Sequence, residues 1–398
     1  MVRRVNMQVA PSAKARGSLR VLHLCAGNLY GGIETVLRIL AEERATNPTM
    51  EPAFALTAEG RLSRELQASG AALHMLPAVR VRHPWTVLRA RRALRRLLGT
   101  ERYDVAVCHS TWLLGVFGST LRAAGLPFVY FQHDVARGTH WIERWAKRKV
   151  PDGIVSNSHF TAKSAAHLFP GKLPVVVHCP VRAPLQPAER EDVRSAVRRE
   201  LDADDDTVVI LQVSRLDRGK GHELFLRALS NVRSKKPWAV WIVGGIQRET
   251  DSTYLDALRS LADEKGIAPR VRWLGQRSDV SSLMTAADVS CQPNLEPEGF
   301  GIVYIEAMGH GLPVVTTSLG AATEIVSSDC GVLVPPHEDQ LASALTNLID
   351  NVDARRALGA NGPARARDVS DVKQQMSRLG NVLAALARGD RDYSTVIS

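Results

Sequence analysis

Short runs rich in β-branched and aromatic residues recur along the whole chain, and longer amphipathic stretches separate them. This alternation constrains the fold more than any other feature. In the first half the runs are LRVLHLC (19–25), AFALTA (53–58), DVAVCH (104–109), PFVYFQ (127–132), GIVSN (153–157) and PVVVHC (174–179), with helical spacing at 32–46, 60–69, 112–124 and 158–169. The second half repeats the pattern with TVVILQV (207–213), AVWIVGG (239–245), VRWLG (271–275), DVSCQP (288–293), LPVVTT (312–317) and CGVLVPP (330–336). Continuous apolar strands separated by helices form parallel sheets covered on both faces. A chain of 398 residues is too long for one ordinary core. The Pro-rich polar stretch CPVRAPLQPAERED (179–192) marks the passage between two domains. The expected class is α/β, with two Rossmann-like domains facing across a cleft. A tail is expected at 1–17, a first domain at 18–185, a second at 186–370, and a C-terminal helix within 371–398 that packs back on the first domain. Ligands of such sheets bind at the carboxyl ends of the strands, where the strand order reverses.

Composition narrows the setting. Apolar residues make up 45% and charged residues 23%, the balance of a soluble globular protein. No apolar run reaches the roughly 20 residues that cross a bilayer, and the basic N-terminus lacks the apolar segment of a secretory signal. Five scattered cysteines, Cys25, Cys108, Cys179, Cys291 and Cys330, suit small buried hydrophobes in a reducing compartment, and no Cys/His spacing resembles a zinc site. A cytoplasmic location is expected. The net charge of +10 favours an anionic partner.

Three loops at strand ends carry residues with chemistry. In CAGNLYGGIETVLRIL, Gly31 and Gly32 end the loop and Glu34 opens the helix. Adjacent glycines let the backbone approach a ligand, and a helix N-terminus offers N–H groups to an anion. The spacing is neither G-x-G-x-x-G nor G-x-x-x-x-G-K-[ST], so dinucleotide and Walker fingerprints are absent. In VSRLDRGKGHELFLRAL, Arg215 and Lys220 lie five apart between a strand and a helix. Two such cations suit a pyrophosphate, Arg as a fork and Lys as a point charge. In LEPEGFGIVYIEAMGH, Glu298 lies in the loop and Glu306 about a turn into the helix, with Gly299 and Gly301 baring the backbone around Phe300. A carboxylate accepts hydrogen bonds from vicinal hydroxyls, so two carboxylates can hold two sugar rings. Taken singly, each segment also reads as a structural turn, a solvated basic loop or a surface carboxylate.

Their order is more telling. GGIE, then His133 in FQHD, the run SNSHFTAKS (156–164), R-x4-K, and E-x7-E with EGFG and EAM resemble the retaining GT-B glycosyltransferases of the large family four (glycosyl transferases group 1), over about residues 19–370. VVVHCPV stands where many relatives carry an Asn-Gly pair. The resemblance implies a GT-B fold and transfer of a sugar from a UDP- or GDP-sugar donor with retention of configuration. It implies that Arg215 and Lys220 hold the departing diphosphate, helped by the N–H of Gly31 or Gly32. Glu306 would take the ribose hydroxyls. Glu298 would take those of the donor sugar beside the N–H groups of Phe300 and Gly301, and His133 would face that sugar across the cleft. In these terms His133, Arg215, Lys220 and Glu298 are catalytic, and Gly31, Gly32, Phe300, Gly301 and Glu306 bind substrate. No cofactor is expected, because the nucleotide sugar is a substrate. No metal is expected, because two cations offset the diphosphate and the acidic run DADDD (202–206) precedes its strand at the amino end. His109 in VCHST ends another strand, either as an acceptor-side residue or as a hydrogen-bonded core histidine. Glu324 in TEIV receives no role.

The positive charge concentrates in RVRHPWTVLRARRALRRLLG (80–99), which holds seven arginines, and in HWIERWAKRK (140–149). A helix from Pro84 would gather Trp85, Leu88, Leu94, Leu97 and Leu98 near one face and Arg89, Arg92, Arg95 and Arg96 on or beside the other. A basic amphipathic helix ending in an aromatic is the pattern of an interfacial helix, so an anionic membrane surface is an expected partner. Nucleic acid is not, since there is no recognition motif and aromatic content is 5%. The expected function is transfer to a lipid-linked or polysaccharide acceptor in cell-envelope synthesis at the cytoplasmic membrane face. The alternatives are a soluble small-molecule acceptor, or a non-catalytic nucleotide-sugar-binding protein.

Overall fold

Seven parallel strands form the first sheet in the computed structural model, which describes residues 18–182, 190–390 and 393. They are β1 (Leu19–Cys25), β2 (Met50–Leu56), β3 (Ala72–Met75), β4 (Val105–Cys108), β5 (Phe128–Gln132), β6 (Gly153–Ser156) and β7 (Val175–Val176). The helices between them are α1 (Gly32–Glu42), α2 (Arg61–Ala68), α3 (Pro84–Thr100), α4 (Thr111–Ala123), α5 (Trp141–Lys147) and α6 (His159–Ser164). The order is β3-β2-β1-β4-β5-β6-β7. It reverses between β1 and β4, so the loops after those two strands flank the switch point. The tail expected at 1–17 and the linker residues 183–189 lie outside the described residues.

The second unit begins with α7 (Arg190–Glu200) and continues β8 (Val208–Val213), α8 (His222–Ser230), β9 (Trp238–Val243), α9 (Glu249–Glu264), β10 (Val271–Gly275), α10 (Val280–Ala286), β11 (Val289–Gln292), α11 (Ile302–Gly309), β12 (Val314–Thr317), α12 (Ala322–Ile325), β13 (Gly331–Val334), α13 (Glu338–Asp350) and α14 (Val352–Ser370). Its six strands are also parallel, in the order β10-β9-β8-β11-β12-β13. The reversal falls between β8 and β11. The loops bearing Arg215–Lys220 and Glu298 follow those two strands.

Compact units divide at Pro180/Val181 and at Asp371/Val372, a few residues from the boundaries read in the sequence. The chain from Val372 belongs to the first unit. There α15 (Val372–Ala387) presents the Met376 carbonyl to Asn47 Nδ2 at 2.9 Å, and Tyr393 OH accepts from the Ile154 N–H at 3.2 Å. Strand β3 is absent from the sequence reading. It is a four-residue edge strand and only half-buried, so it lacks the apolar run that marks the others. In PVVVHC (174–179) only Val175 and Val176 are strand. All five cysteines are buried, and none is in a disulfide.

Helix α14 lies against α11 backbone to backbone. A Cβ on Gly359 would stand 2.2 Å from the Gly311 carbonyl oxygen, and one on Gly362 2.6 Å from that of Met308. Neither oxygen can rotate away as a side chain would. We expect Gly359→Ala to cost about 1–3 kcal/mol by overpacking. Gly99→Ala, in the last turn of α3 with open space around the new methyl, should be neutral or stabilise by up to about 1 kcal/mol. Urea and thermal melts of both variants check this; equal midpoints would contradict the close packing of α14.

Candidate functional site

At the switch point of the second unit, two loops are locked together by backbone. Gly221, at φ +72°, closes the loop after β8, and a Cβ there would stand 1.8 Å from the Pro293 carbonyl oxygen in the loop after β11. Only glycine allows that approach. The Leu295 N–H donates to the Gly219 carbonyl at 2.8 Å. Side-chain amides from both strands, Gln212 on β8 and Gln292 on β11, converge on the Lys220 carbonyl at 3.2 Å each. The position of Lys220 is thus fixed from both sides of the reversal. Its ammonium group donates to Glu298 Oε2 at 2.5 Å, with both side chains about a quarter exposed.

Glu298 is held as firmly. Its backbone pairs with Gly320 in an isolated parallel bridge, and its carbonyl accepts from the Ala321 N–H at 2.9 Å. Its carboxylate also accepts from Asn294 Nδ2 at 3.0 Å. Asn294 donates in turn to Tyr304 OH at 2.8 Å, which lies 3.1 Å from Thr316 Oγ1. Burial pushes the Tyr304 phenol well above its ordinary pKa, so this network is neutral apart from Glu298 and Lys220. The half-buried Arg215 guanidinium has neither a hydrogen bond nor an ion pair among the described residues. One cation already paired and one available therefore stand on the same loop.

Two residues of the E-x7-E segment are tightly packed. Gly301, at φ +90°, is explained by packing: a Cβ there would stand 2.2 Å from the Tyr304 ring. Phe300 is buried at 2% exposure. Glu306 lies half-buried on α11, and its carbonyl accepts from His310 Nδ1 at 2.7 Å. DADDD (202–206) precedes β8 at its amino end, and no group of three or more His, Cys, Asp or Glu among the described residues is arranged to hold a metal.

In the first unit, Gly31 caps α1 and its N–H donates to Glu34 Oε2 at 2.9 Å in a capping box. The Gly31 N–H, which the sequence reading offers to an anion together with that of Gly32, is held by the carboxylate three residues on. Gly32 at the first helical position remains a candidate donor. His133 follows β5 and is buried at 8% exposure. Its Nε2 lies 3.0 Å from His109 Nδ1, and His109 Nε2 lies 2.9 Å from His23 Nδ1 on β1. His109 is thus a hydrogen-bonded core histidine. His23 went unnoticed in the sequence, although a histidine inside the apolar run LRVLHLC was the available signal. Asn294 and Tyr304 were missed for want of any comparable signal.

The basic segments are arranged differently from the expectation. Helix α3 packs through Val87, Ala90, Ala93 and Leu94, so Trp85 and Leu88 point outward at 57% and 51% exposure. They share the outer face with exposed Arg89, Arg92, Arg95 and Arg96. Positions 85, 88, 92 and 96 recur at helical spacing, which puts the apolar and basic groups together instead of on opposite faces. Arg91 is turned inward onto the carbonyls of Val116 and Gly115 at 2.6 and 3.2 Å. On α5, Trp141 is 49% exposed and lines one open hollow with Arg80, Val81, Arg82 and His83. Trp145 is half-buried against Gly115. No helix among the described residues is long and apolar enough to cross a membrane.

Two family models match the chain. One described as Glycosyltransferase Family 4 covers residues 30–183, and one described as Glycosyl transferases group 1 covers residues 193–365. A GDP-mannose-dependent monoacylated alpha-(1-6)-phosphatidylinositol monomannoside mannosyltransferase of Corynebacterium glutamicum is 32% identical, over 69% of this chain and 74% of that protein. A GDP-mannose-dependent alpha-(1-6)-phosphatidylinositol monomannoside mannosyltransferase of Mycolicibacterium smegmatis is 27% identical over 76% of this chain and 83% of its own length. The fold is shared with Anabaena Alr3699/HepE in complex with UDP-glucose, at a TM-score of 0.80 and 23% identity over 92% of this chain and all of that one. With the two parallel sheets and their switch points in place, the chain belongs to the group 1 glycosyltransferases of family four, with the GT-B fold.

Proposed function

We propose that the protein is a retaining, metal-independent glycosyltransferase that moves a sugar from a nucleotide-sugar donor to a lipid-linked acceptor at the cytoplasmic membrane face. The observation that carries this reading is the Lys220–Glu298 pair at the β8/β11 switch point, beside Arg215, which has no ion-pair partner among the described residues. A nucleoside diphosphate sugar offers a partner to each member. Its diphosphate draws Lys220 toward Arg215, and its sugar hydroxyls replace the ammonium as donors to Glu298. Asn294 keeps the carboxylate oriented during the exchange. As the anomeric C–O bond to the diphosphate breaks, the two cations stabilise the charge that develops on the leaving group. The acceptor oxygen bonds to the anomeric carbon on the same face, and its proton passes to the departing diphosphate oxygen. Glu306 takes the ribose hydroxyls, His133 donates to the transferred sugar, and the Gly32 N–H supports the diphosphate. GDP-mannose, for which several relatives are named, is the first donor to try.

Lys220→Ala and Arg215→Ala should fold and lose turnover by about 10²–10³-fold with saturating donor, since each removes charge stabilisation needed most in the transition state. Wild-type-like kcat in both variants would rule out the clamp. Glu298→Ala should release Lys220, leaving affinity for the free nucleoside diphosphate unchanged or higher while transfer falls. Glu306→Ala should weaken the free diphosphate. Calorimetric titration separates the two, and equal losses would contradict the division of roles.

A chelator should leave activity unchanged, because protein cations serve the diphosphate. An absolute need for Mg²⁺ or Mn²⁺ would overturn that part of the reading.

Membrane contact is assigned to the outer face of α3 and to Trp141. Binding to anionic vesicles should be reversible and should weaken as the Debye length falls from about 10 Å at 0.1 M salt to about 3 Å at 1 M. Replacing Arg89, Arg92, Arg95 and Arg96 by Gln, or Trp85 and Leu88 by Ser, should abolish co-sedimentation without unfolding the protein. Wild type that ignores anionic vesicles would point instead to a soluble acceptor.

A further inference from the structure

The three histidines of the first sheet sit on adjacent strands. His23 is on β1, His109 directly follows β4 and His133 directly follows β5, and the sheet order places these strands side by side. The two contacts, 2.9 and 3.0 Å, are of ordinary hydrogen-bond length. His23 is fully buried and stacked on Phe54, with ring centroids 5.5 Å apart. Phe131 stacks on His133 at 4.4 Å and lies 5.5 Å from His109. The rings have little freedom to turn. Burial lowers the pKa of His23 and of His133 to about 3, and burial followed by its two neighbours holds that of His109 well below its ordinary value. All three are therefore neutral near pH 7, and each carries one N–H.

That condition leaves two arrangements. Each contact needs one hydrogen, and His109 has one to give. If His109 is protonated on Nε2, it donates to His23, His133 must be protonated on Nε2, and His23 must carry its own hydrogen on Nε2. If His109 is protonated on Nδ1, it donates to His133, His23 donates to His109, and His133 carries its hydrogen on Nδ1. The three tautomers are locked into one sense or the other. His23 Nε2 decides between them, because it is buried with no hydrogen-bond partner among the described residues. The first sense would place an N–H there with nothing to accept it. The second leaves only an unshared lone pair. Orphaned buried N–H groups are the rarer defect.

We propose that His23 and His109 are positioning residues that hold His133 as its Nδ1–H tautomer. His133 then acts as a fixed hydrogen-bond donor to a sugar oxygen and never as a base at that atom. The effect on catalysis rests on the proposed contact between His133 and the transferred sugar; the tautomer itself does not. His133 retains 8% exposure, against 1% for His109 and none for His23, so it is the end of the chain that a ligand can reach.

Long-range ¹H–¹⁵N correlation on histidine-labelled full-length protein without donor reads the tautomers directly. Signals are assigned by loss in His23→Leu, His109→Leu and His133→Ala. Three protonated Nδ1 and three bare Nε2 atoms are expected; the opposite sense, or a mixture, overturns the proposal. His23→Leu should move the His133 signals and lower kcat by about 10–100-fold, the range typical of lost outer hydrogen bonds at a reacting site. His23→Asn, which keeps an N–H near the place of Nδ1, should restore most of that loss. A His23→Leu protein with unchanged kcat and unchanged His133 signals overturns the relay. If His23→Leu does not fold, the wild-type spectrum and the kcat of His23→Asn still decide. Wild-type turnover in His133→Ala would instead defeat the sugar contact, leaving the tautomer measurement to stand or fall separately.

Discussion

Each sheet depends on the reversal of its strand order. Where neighbouring parallel strands send their chains to opposite sides, their carboxyl ends leave a gap that neither crossover helix covers. In the second unit that gap lies between β8 and β11, and the two loops beside it touch backbone to backbone at Gly221 and Pro293. A side chain at Gly221 would force them apart. Lys220 would then lose the two glutamine amides on its carbonyl, and its ammonium group would no longer be delivered to Glu298. The chemistry of the site therefore rests on a contact that contains no charge.

The same logic applies to the carboxylate. Surface ion pairs contribute little because two flexible side chains must be ordered in water. Lys220–Glu298 escapes part of that cost. Glu298 is pinned by its bridge to Gly320 and by Asn294, whose own orientation is set by Gln292 and Tyr304. The pair is only partly enclosed, so a substrate can still compete for either partner. An arrangement that is rigid in backbone and exchangeable in side chain suits a site that must release charge to a ligand.

Much of the fold was legible because a parallel sheet writes itself as apolar runs. LRVLHLC and VRWLG match their strands residue for residue, and the loops bearing Arg215, Lys220 and Glu298 lie where those runs end. What escaped notice has a common cause. Edge strand β3 and the stub β7 have too little buried surface to leave a pattern. Trp85 and Leu88 satisfy an amphipathic wheel as inner residues, yet the smaller Val87, Ala90 and Ala93 let α3 sit closer to its neighbours and turn the tryptophan outward. Gly31 carries a motif glycine's signature but spends its N–H on Glu34. His23, Asn294 and Tyr304 act through partners far away in sequence, and no local spacing encodes such pairings.

The five cysteines have a practical side. All are buried and outside any disulfide, and burial raises the thiol pKa of Cys25, Cys108 and Cys291. Thiolate is the reactive form, so the folded protein presents little to alkylating reagents or oxidants. A single cysteine introduced on an exposed loop of either unit would be the fast-reacting thiol of the molecule. Fluorophores or spin labels could then be attached one at a time to the native sequence background, without first stripping out the natural thiols.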